Sequence, residues 1–388
     1  MKNINKQNIL NTFINQNVIA KSDIIDKTKL SAATVSFLIA ELIADGLVLE
    51  KEIGESSGGR KPMLYSLNGD YSHVLTLRIT PKGAMIGIVN LKCEVIYSKT
   101  IIMTVHGVDC FKELFQQAIS DIELYNADFI NKITAVAVSV PGIVDFTKGY
   151  LIYSATLYIE DLNVNKLVNE FFQDIVNVYI FKDTDALILG EHYFSIPEEK
   201  NMAYILCENG VGLSLISRGE LFRQEGCGLE LGHLTIDYHG PKCKCSLNGC
   251  IGTLLSEYPA IRRYTEIYEE KFGNLIDTTS LDYDDIINLH KNNDEIAQQV
   301  IHEQLEILSI VIVNVVNLFN PGVVIIGGPL ARLENELNKI VTENVKNKAL
   351  RPFVSNLSIG TSKLQLSTSL KAMANYVLKA QFFKTIRI

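Results

Sequence analysis

Residues 226–250, GCGLELGHLTIDYHGPKCKCSLNGC, are the stretch whose residue types packing alone explains least. It holds His233, Cys243, Cys245 and Cys250, with nine residues between the histidine and the first cysteine, one before the second and four before the third. Gly240, Pro241 and Gly249 bend the backbone between them. Four soft or borderline donors on one compact loop suit tetrahedral zinc. The plain alternative is a group of buried thiols beside a core histidine, yet three cysteines within eight residues exceed ordinary usage. Because protein donors would fill all four positions, the expected ion is structural: it pins a loop and leaves no site for a reactant.

Outward from this loop, composition sets the bounds. A chain of 388 residues exceeds one ordinary core, so two or three domains are expected, and 47% apolar content without a low-complexity tract indicates a folded protein. The N-terminus, MKNINKQNILNTF, lacks the uninterrupted apolar run of a signal peptide. The apolar run 305–319 is broken by Glu306, Ser309, Asn314 and Asn317, which suits a buried helix and not a membrane span. Seven cysteines, three of them in a metal-like cluster, argue for a reducing compartment, and a cytoplasmic protein is expected. A net charge of −8 excludes nucleic-acid binding over the whole surface but allows a local module.

Residues 1–70 have the order of such a module. Ile4, Ile9, Leu10, Phe13 and Ile14 form a partial helical stripe, and a short helix fits 22–27 with Ser22 as its N-cap. Ser31 then caps a longer helix in which Val35, Leu38, Ile39, Leu42 and Ile43 share one face, stopped by Gly46. Ser31, Ala33, Thr34 and Ser36 lie at its open start, the end that a recognition helix turns to the major groove. Strand-like segments 47–51 and 63–67 flank the tip GESSGGRKP, a wing in which Arg60 and Lys61 could reach phosphates or a minor groove. Eight basic and seven acidic residues in 1–69 leave a surplus of only one, so any DNA contact depends on their distribution.

From His73 apolar runs take over. HVLTLRI, GAMIGIVNL and EVIYSKTIIMTV read as a strand meander, followed by a helix over 110–125 and the strand ITAVAVSV, which ends at Pro141-Gly142. MAYILC, VGLSLIS and GELFRQ echo the meander, a hint of internal duplication. A last helix fits 369–383.

Several of these segments resemble the ROK family of repressors and sugar kinases. The resemblance rests on Glu230-Leu-Gly-His233 followed by Gly-Pro-x-Cys-x-Cys-x-x-x-Gly-Cys, and on Asn320-Pro-Gly-Val-Val-Ile-Ile-Gly-Gly328. It rests also on the head motifs Leu30-Ser-x-x-Thr-Val-Ser36 and Gly59-Arg-Lys-Pro62, which are similar to the winged head of the family's repressors. The implied fold is α/β: a winged helix-turn-helix domain over 1–70, then a two-lobed, actin-like sugar-kinase body over 71–388. Its first lobe would span about 71–185 plus the C-terminal helix, and its second about 186–368. The resemblance implies that Glu230 and His233 contact a sugar ring while His233 also ligates zinc, one ring nitrogen serving each task. Asp183, in Phe181-Lys-Asp183-Thr-Asp-Ala, matches the family carboxylate that takes the sugar proton in a kinase.

The phosphate loops depart from the family. Where kinases carry Asp-x-Gly-Gly-Thr, residues 77–83 read Leu-Arg-Ile-Thr-Pro-Lys-Gly, without a carboxylate or paired glycines. The second loop, normally Gly-Thr-Gly-Ile-Gly, reads Glu208-Asn-Gly-Val-Gly212, with an acid facing any phosphate. Lys182, Thr156 and Gly252 stand where family members carry Asn, Asn and Glu in the sugar site. The expectation is a non-enzymatic, sugar-responsive repressor that binds operator DNA as a homodimer and holds a structural zinc. An active kinase with an added head, and a ligand-blind regulator controlled by a protein partner, are the alternatives.

Overall fold

The computed structural model describes residues 2–14, 16, 18–51, 63–172, 176–223, 228–273 and 281–383. By internal contacts the chain divides into two units, residues 1–183 with 366–388, and residues 184–365.

The first unit begins with α1 (Lys2–Asn11), β1 (Ile19–Ala20), α2 (Lys21–Thr28), α3 (Ala32–Ala44), β2 (Val48–Lys51) and β3 (Leu64–Leu67). Ile9, Leu10, Ile24, Val35, Leu38, Ile39 and Leu42 bury one small core beneath the three helices. Ser31 caps α3, accepting the Thr34 N–H at 3.2 Å. The helix ends in a Schellman turn: the N–H groups of Leu47 and Gly46 donate to the carbonyls of Leu42 and Ile43, both at 2.9 Å, with Gly46 at φ +77°. Ser22 does not cap α2. The helix starts one residue earlier, behind Ala20, because the chain turns directly out of β1, a two-residue strand that pairs with β3. Asp45, just past the end of α3, and Glu41 within it hold Lys6 of α1, at 2.9 and 3.2 Å. The wing tip, with Arg60 and Lys61, lies outside the described residues.

The head joins the first sheet of the body without a linker. Asn68 donates to the Gly46 carbonyl at 2.9 Å, a short turn runs through Gly69–Tyr71, and Leu91 returns an N–H to the Gly69 carbonyl. Then come β4 (His73–Thr80), β5 (Gly83–Asn90), β6 (Val95–Ile102), α4 (Gly107–Asn126) and β7 (Ile133–Val140). A separate ribbon comes next, β8 (Ile143–Asp145), β9 (Tyr150–Ser154) and β10 (Ile159–Asn163), which the sequence did not announce, and then β11 (Asn177–Lys182). The sheet order is β11-β7-β4-β5-β6, with β5 and β6 antiparallel and β7 and β11 parallel to β4. α4 lays Phe111, Leu114, Phe115 and Ala118 on one face of it, and the helix Thr368–Phe382 packs on β4 and β5.

The second unit repeats the plan. β12 (Met202–Cys207), β13 (Val211–Ser217), β14 (Glu220–Leu221), β15 (Val323–Gly327) and β16 (Ser358–Thr361) order as β14-β13-β12-β15-β16. Counted within each sheet, both run third, second, first, fourth, fifth, with the first three antiparallel and the last two parallel to the first. The third strand is shorter here than GELFRQ suggested, two residues only. The apolar run at 305–319 belongs to a longer helix, Glu295–Phe319, started by Asp294, which accepts the Ala297 N–H at 2.8 Å, and stopped by Asn320 at φ +45° before Pro321. That helix is long and apolar enough to cross a membrane by composition, but its Val300, Ile301, Leu305, Leu308, Ile312 and Val316 are buried in the core of this unit.

Candidate functional site

Residues 228–252 form a loop with little regular structure after β14, and backbone hydrogen bonds close it. Ile236 and Ile251 donate to Gly249 and Leu234 at 3.0 and 2.8 Å, and Gly249 donates to Pro241 at 2.8 Å. A hairpin-like bend, Cys243 N–H to Leu247 carbonyl at 2.7 Å, turns through Ser246 at φ +76°. Gly249 is required: at φ +62°, a Cβ there would lie 1.5 Å from the Asp237 carbonyl oxygen.

This backbone gathers the four expected donors. One ligand atom each from His233, Cys243, Cys245 and Cys250 lies within 4.8 Å of every other. Cys243 Sγ is 3.6 Å from His233 Nδ1, and Cys245 Sγ is 3.6 Å from Cys250 Sγ. A tetrahedron with Zn–S bonds of about 2.3 Å has edges of about 3.8 Å, so the donor set fits a zinc-sized ion. Nδ1, the ring nitrogen beside Cys243, is then the ligand nitrogen, which leaves Nε2 of the exposed His233 without a role in the metal set. The thiols alone are electrostatically uneven. The Leu247 N–H and the neighbouring donors draw Cys245 down to about 7, whereas burial first, and then the adjacent sulfurs, push Cys250 up to about 12. A divalent cation at the centre would favour the thiolate at both.

Glu230 precedes and His233 ends a single 3₁₀ turn, Leu231–His233, whose Leu231 is buried in the unit core. Gly232 is pressed against β13, where a Cβ would meet the Val211 carbonyl at 2.7 Å. Asp183 is the first residue of the helix Asp183–Phe194, directly after β11, half-buried, and belongs to the first unit. Thr156 lies half-buried in the turn between β9 and β10, its hydroxyl 3.4 Å from Ser154. Sequence reasoning passed over Asp185, which is 5% exposed. Its carboxylate accepts from Ser214 Oγ at 2.5 Å and Arg223 Nη2 at 3.2 Å, tying the helix start to β13. The signal was available, a second acid two residues after Asp183, but only the fold brings Ser214 and Arg223 to it.

In the head, Ser31 and Ala33 are exposed and Thr34 and Ser36 partly so, all on the first turns of α3. Thr34 Oγ1 is 2.8 Å from Ser31 Oγ, and Ser36 donates back to the Ala32 carbonyl at 2.6 Å. The two loops that depart from a phosphate cradle occupy equivalent places, the first turn of each five-stranded sheet. In the β4–β5 turn the Lys82 N–H is taken by Thr80 Oγ1 at 3.3 Å, and the Pro81 carbonyl accepts from Val105 at 3.0 Å. In the β12–β13 turn the Glu208 N–H donates to the Gly210 carbonyl at 3.0 Å.

Known proteins resemble the chain along nearly its whole length. It is 28% identical to the xylose repressor of Caldicellulosiruptor bescii, over 94% of this chain and 93% of that one. It is 24% identical to the DNA-binding transcriptional dual regulator NagC of Escherichia coli, over 92% and 88%. Among solved structures, a ROK family transcriptional regulator homologous to the E. coli MLC protein superposes with a TM-score of 0.81 at 23% identity, covering 97% of this chain and 96% of that one. The ROK hexokinase of Thermus thermophilus superposes at 0.62 with 20% identity, covering 78% of this chain and 96% of its own. Residues 77–379 match the ROK family itself, and the chain belongs to that family.

Proposed function

We propose that this chain is a carbohydrate-responsive transcriptional repressor that works in the cytoplasm as a homodimer. Residues 1–70 bind operator DNA, with Ser31, Ala33, Thr34 and Ser36 entering the major groove and Arg60 and Lys61 reaching phosphates or a minor groove. Residues 71–388 sense the sugar, in a first lobe of about 71–185 plus the C-terminal helix and a second of about 186–368. The observation that carries the reading is the joint presence of a three-helix, three-stranded head and a duplicated ROK body in one chain. The names of the xylose repressor and NagC support it.

Asp183, Glu230 and His233 are the residues proposed to hold sugar hydroxyls, a carboxylate-to-hydroxyl bond contributing about 1.5–3 kcal/mol. A structural zinc on His233, Cys243, Cys245 and Cys250 would fix the ring of His233 and the turn that carries Glu230. Ligand binding would shift the population between two arrangements of the dimer and so change the spacing of the two recognition helices. The chain is not proposed as an enzyme, since both turns that would cradle a triphosphate are altered.

Mobility shift on the DNA upstream of its own gene, repeated with pentoses, hexoses, amino sugars and their phosphates, tests this reading. Binding that one sugar releases is the expected result. Failure to bind any upstream DNA would sink the repressor assignment, and binding that no sugar alters would favour control by a protein partner.

A further inference from the structure

The sheet of the first unit has two unlike faces. Leu75, Leu77 and Ile79 of β4 join Val136 and Val138 of β7 in the core beneath α4. Successive side chains alternate across a strand, so Thr76 and Arg78 emerge on the other face. There the register sets Arg78 opposite Ser139 of β7, and Ser139 opposite Phe181 of β11. The helix Thr368–Phe382 packs on this face, with Leu370 close to Gly87 and Tyr376 edge-on to Phe181 at 5.4 Å.

Arg78 is only 8% exposed, and Ser139 is fully buried. Neither Arg78 Nε nor Ser139 Oγ has a hydrogen-bond partner, and no ion pair to Arg78 occurs among the described residues. Asp183, the carboxylate that directly follows the end of β11, forms no ion pair with Arg78. β4, β5, β6, β7, β11 and the helix Thr368–Phe382 contain no Asp or Glu at all, and their Lys and Arg residues are Arg78, Lys99, Lys182, Lys371 and Lys379. Lys99 is already paired with Asp121 of α4, at 2.7 Å.

A guanidinium remains charged at any physiological pH, and a buried charge in a folded protein is normally paired or bound to a ligand. We propose that Arg78 and Ser139 form an oxyanion subsite at the carboxyl ends of β4 and β7, which takes a phosphate or carboxylate group of a small molecule. Carboxyl ends of parallel strands are where α/β folds bind ligands. The guanidinium fork matches either oxyanion with two parallel N–H bonds, and the serine hydroxyl can donate a third. The assignment of that small molecule as a phosphorylated or acidic sugar rests on the function proposed above; the oxyanion chemistry does not.

Titration calorimetry on the full chain would compare hexose 6-phosphates, pentose 5-phosphates, hexuronic acids, inorganic phosphate and the neutral parent sugars. Wild type, Arg78→Met and Ser139→Ala would be measured side by side, with operator mobility shifts on the same samples. At least one oxyanion probe is expected to bind wild type, its neutral parent binding at least about tenfold more weakly, and Arg78→Met is expected to lose about 10- to 100-fold in affinity for it. Because an uncompensated buried charge is replaced by an apolar chain of similar length, the melting temperature of ligand-free Arg78→Met is expected to equal or exceed that of wild type. Should that variant not fold, the weaker loss expected in Ser139→Ala carries the test. Inorganic phosphate binding alone, with Arg78 dependence, keeps the subsite and removes the sugar. Binding of oxyanions unchanged in both variants, or absent in wild type, overturns the proposal. Operator release by a neutral sugar alone removes the acidic-sugar assignment while leaving the repressor reading intact, whereas Arg78-dependent oxyanion binding without DNA binding keeps the subsite and removes the repressor reading.

Discussion

His73, the first residue of β4, is fully buried, and neither ring nitrogen has a hydrogen-bond partner. Its ring stands edge-on to Phe129, and Asp70 Oδ1 lies 3.8 Å from Nε2. Burial, aided by the charge of Lys132, lowers its pKa below the ordinary histidine value. The folded state therefore holds the neutral ring, and the unfolded chain takes up the proton first. Stability from this group is complete above the unfolded pKa of about 6.5 and declines as pH falls through it towards the folded value. Urea unfolding of wild type and His73→Phe from about pH 8 to about pH 5 should show wild type losing stability relative to the variant as pH falls; a pH-independent difference would refute the assignment. Glycines separate by environment in the same way. Gly249→Ala forces a Cβ onto the Asp237 carbonyl and should cost about 2–4 kcal/mol and, on the proposed zinc site, lower metal content, whereas Gly219→Ala, at φ +81° with open space around it, should cost about 1 kcal/mol. Calorimetric melting and metal analysis of the two variants check the contrast.

At the scale of elements, the start of α3 carries a helix cap and, in the proposed reading, a DNA contact, and mutation can separate the two. Ser31 satisfies the Thr34 N–H, so Ser31→Ala should lower stability by about 1 kcal/mol whatever its effect on DNA. Thr34→Ala leaves that bond intact and should change stability by less than about 0.5 kcal/mol while weakening operator binding; normal operator affinity would remove Thr34 from the interface. For the loop of the proposed zinc site, Cys245→Ser should abolish stoichiometric metal and lower the melting temperature, and an unchanged metal content would refute the site. These elements were legible because their signals are local: a cap, an apolar stripe and a Schellman glycine for α3, and clustered thiols between bends for the loop. The two-residue β1 and the ribbon β8–β10 were not legible, since strands so short are defined by the partner they meet and not by their own residues. Asp185 and Arg78 escaped for the same reason. Their meaning lies in Ser214, Arg223 and Ser139, which only strand register brings beside them.

Over the whole molecule, the repeated strand order in both units was visible in the sequence only as two apolar meanders, and it makes the two altered turns comparable positions of one design. A phosphoryl-transfer enzyme needs backbone N–H groups and carboxylate-held magnesium around the triphosphate. In the β4–β5 turn, Pro81 has no N–H to give and the Lys82 N–H is already spent on Thr80. In the β12–β13 turn, the Glu208 N–H closes onto Gly210 and its side chain adds negative charge. Asp183, proposed above to hold a sugar hydroxyl, could not compensate as a base, because a base accelerates transfer only when the phosphoryl group is held in line with the hydroxyl. A coupled assay with ATP, magnesium and the same sugar panel should accordingly give no turnover above background, and ATP should leave the melting temperature unchanged. Sugar-dependent ADP formation that disappears in Asp183→Asn would show that the body still catalyses transfer, and the head would then belong to a kinase that also binds DNA.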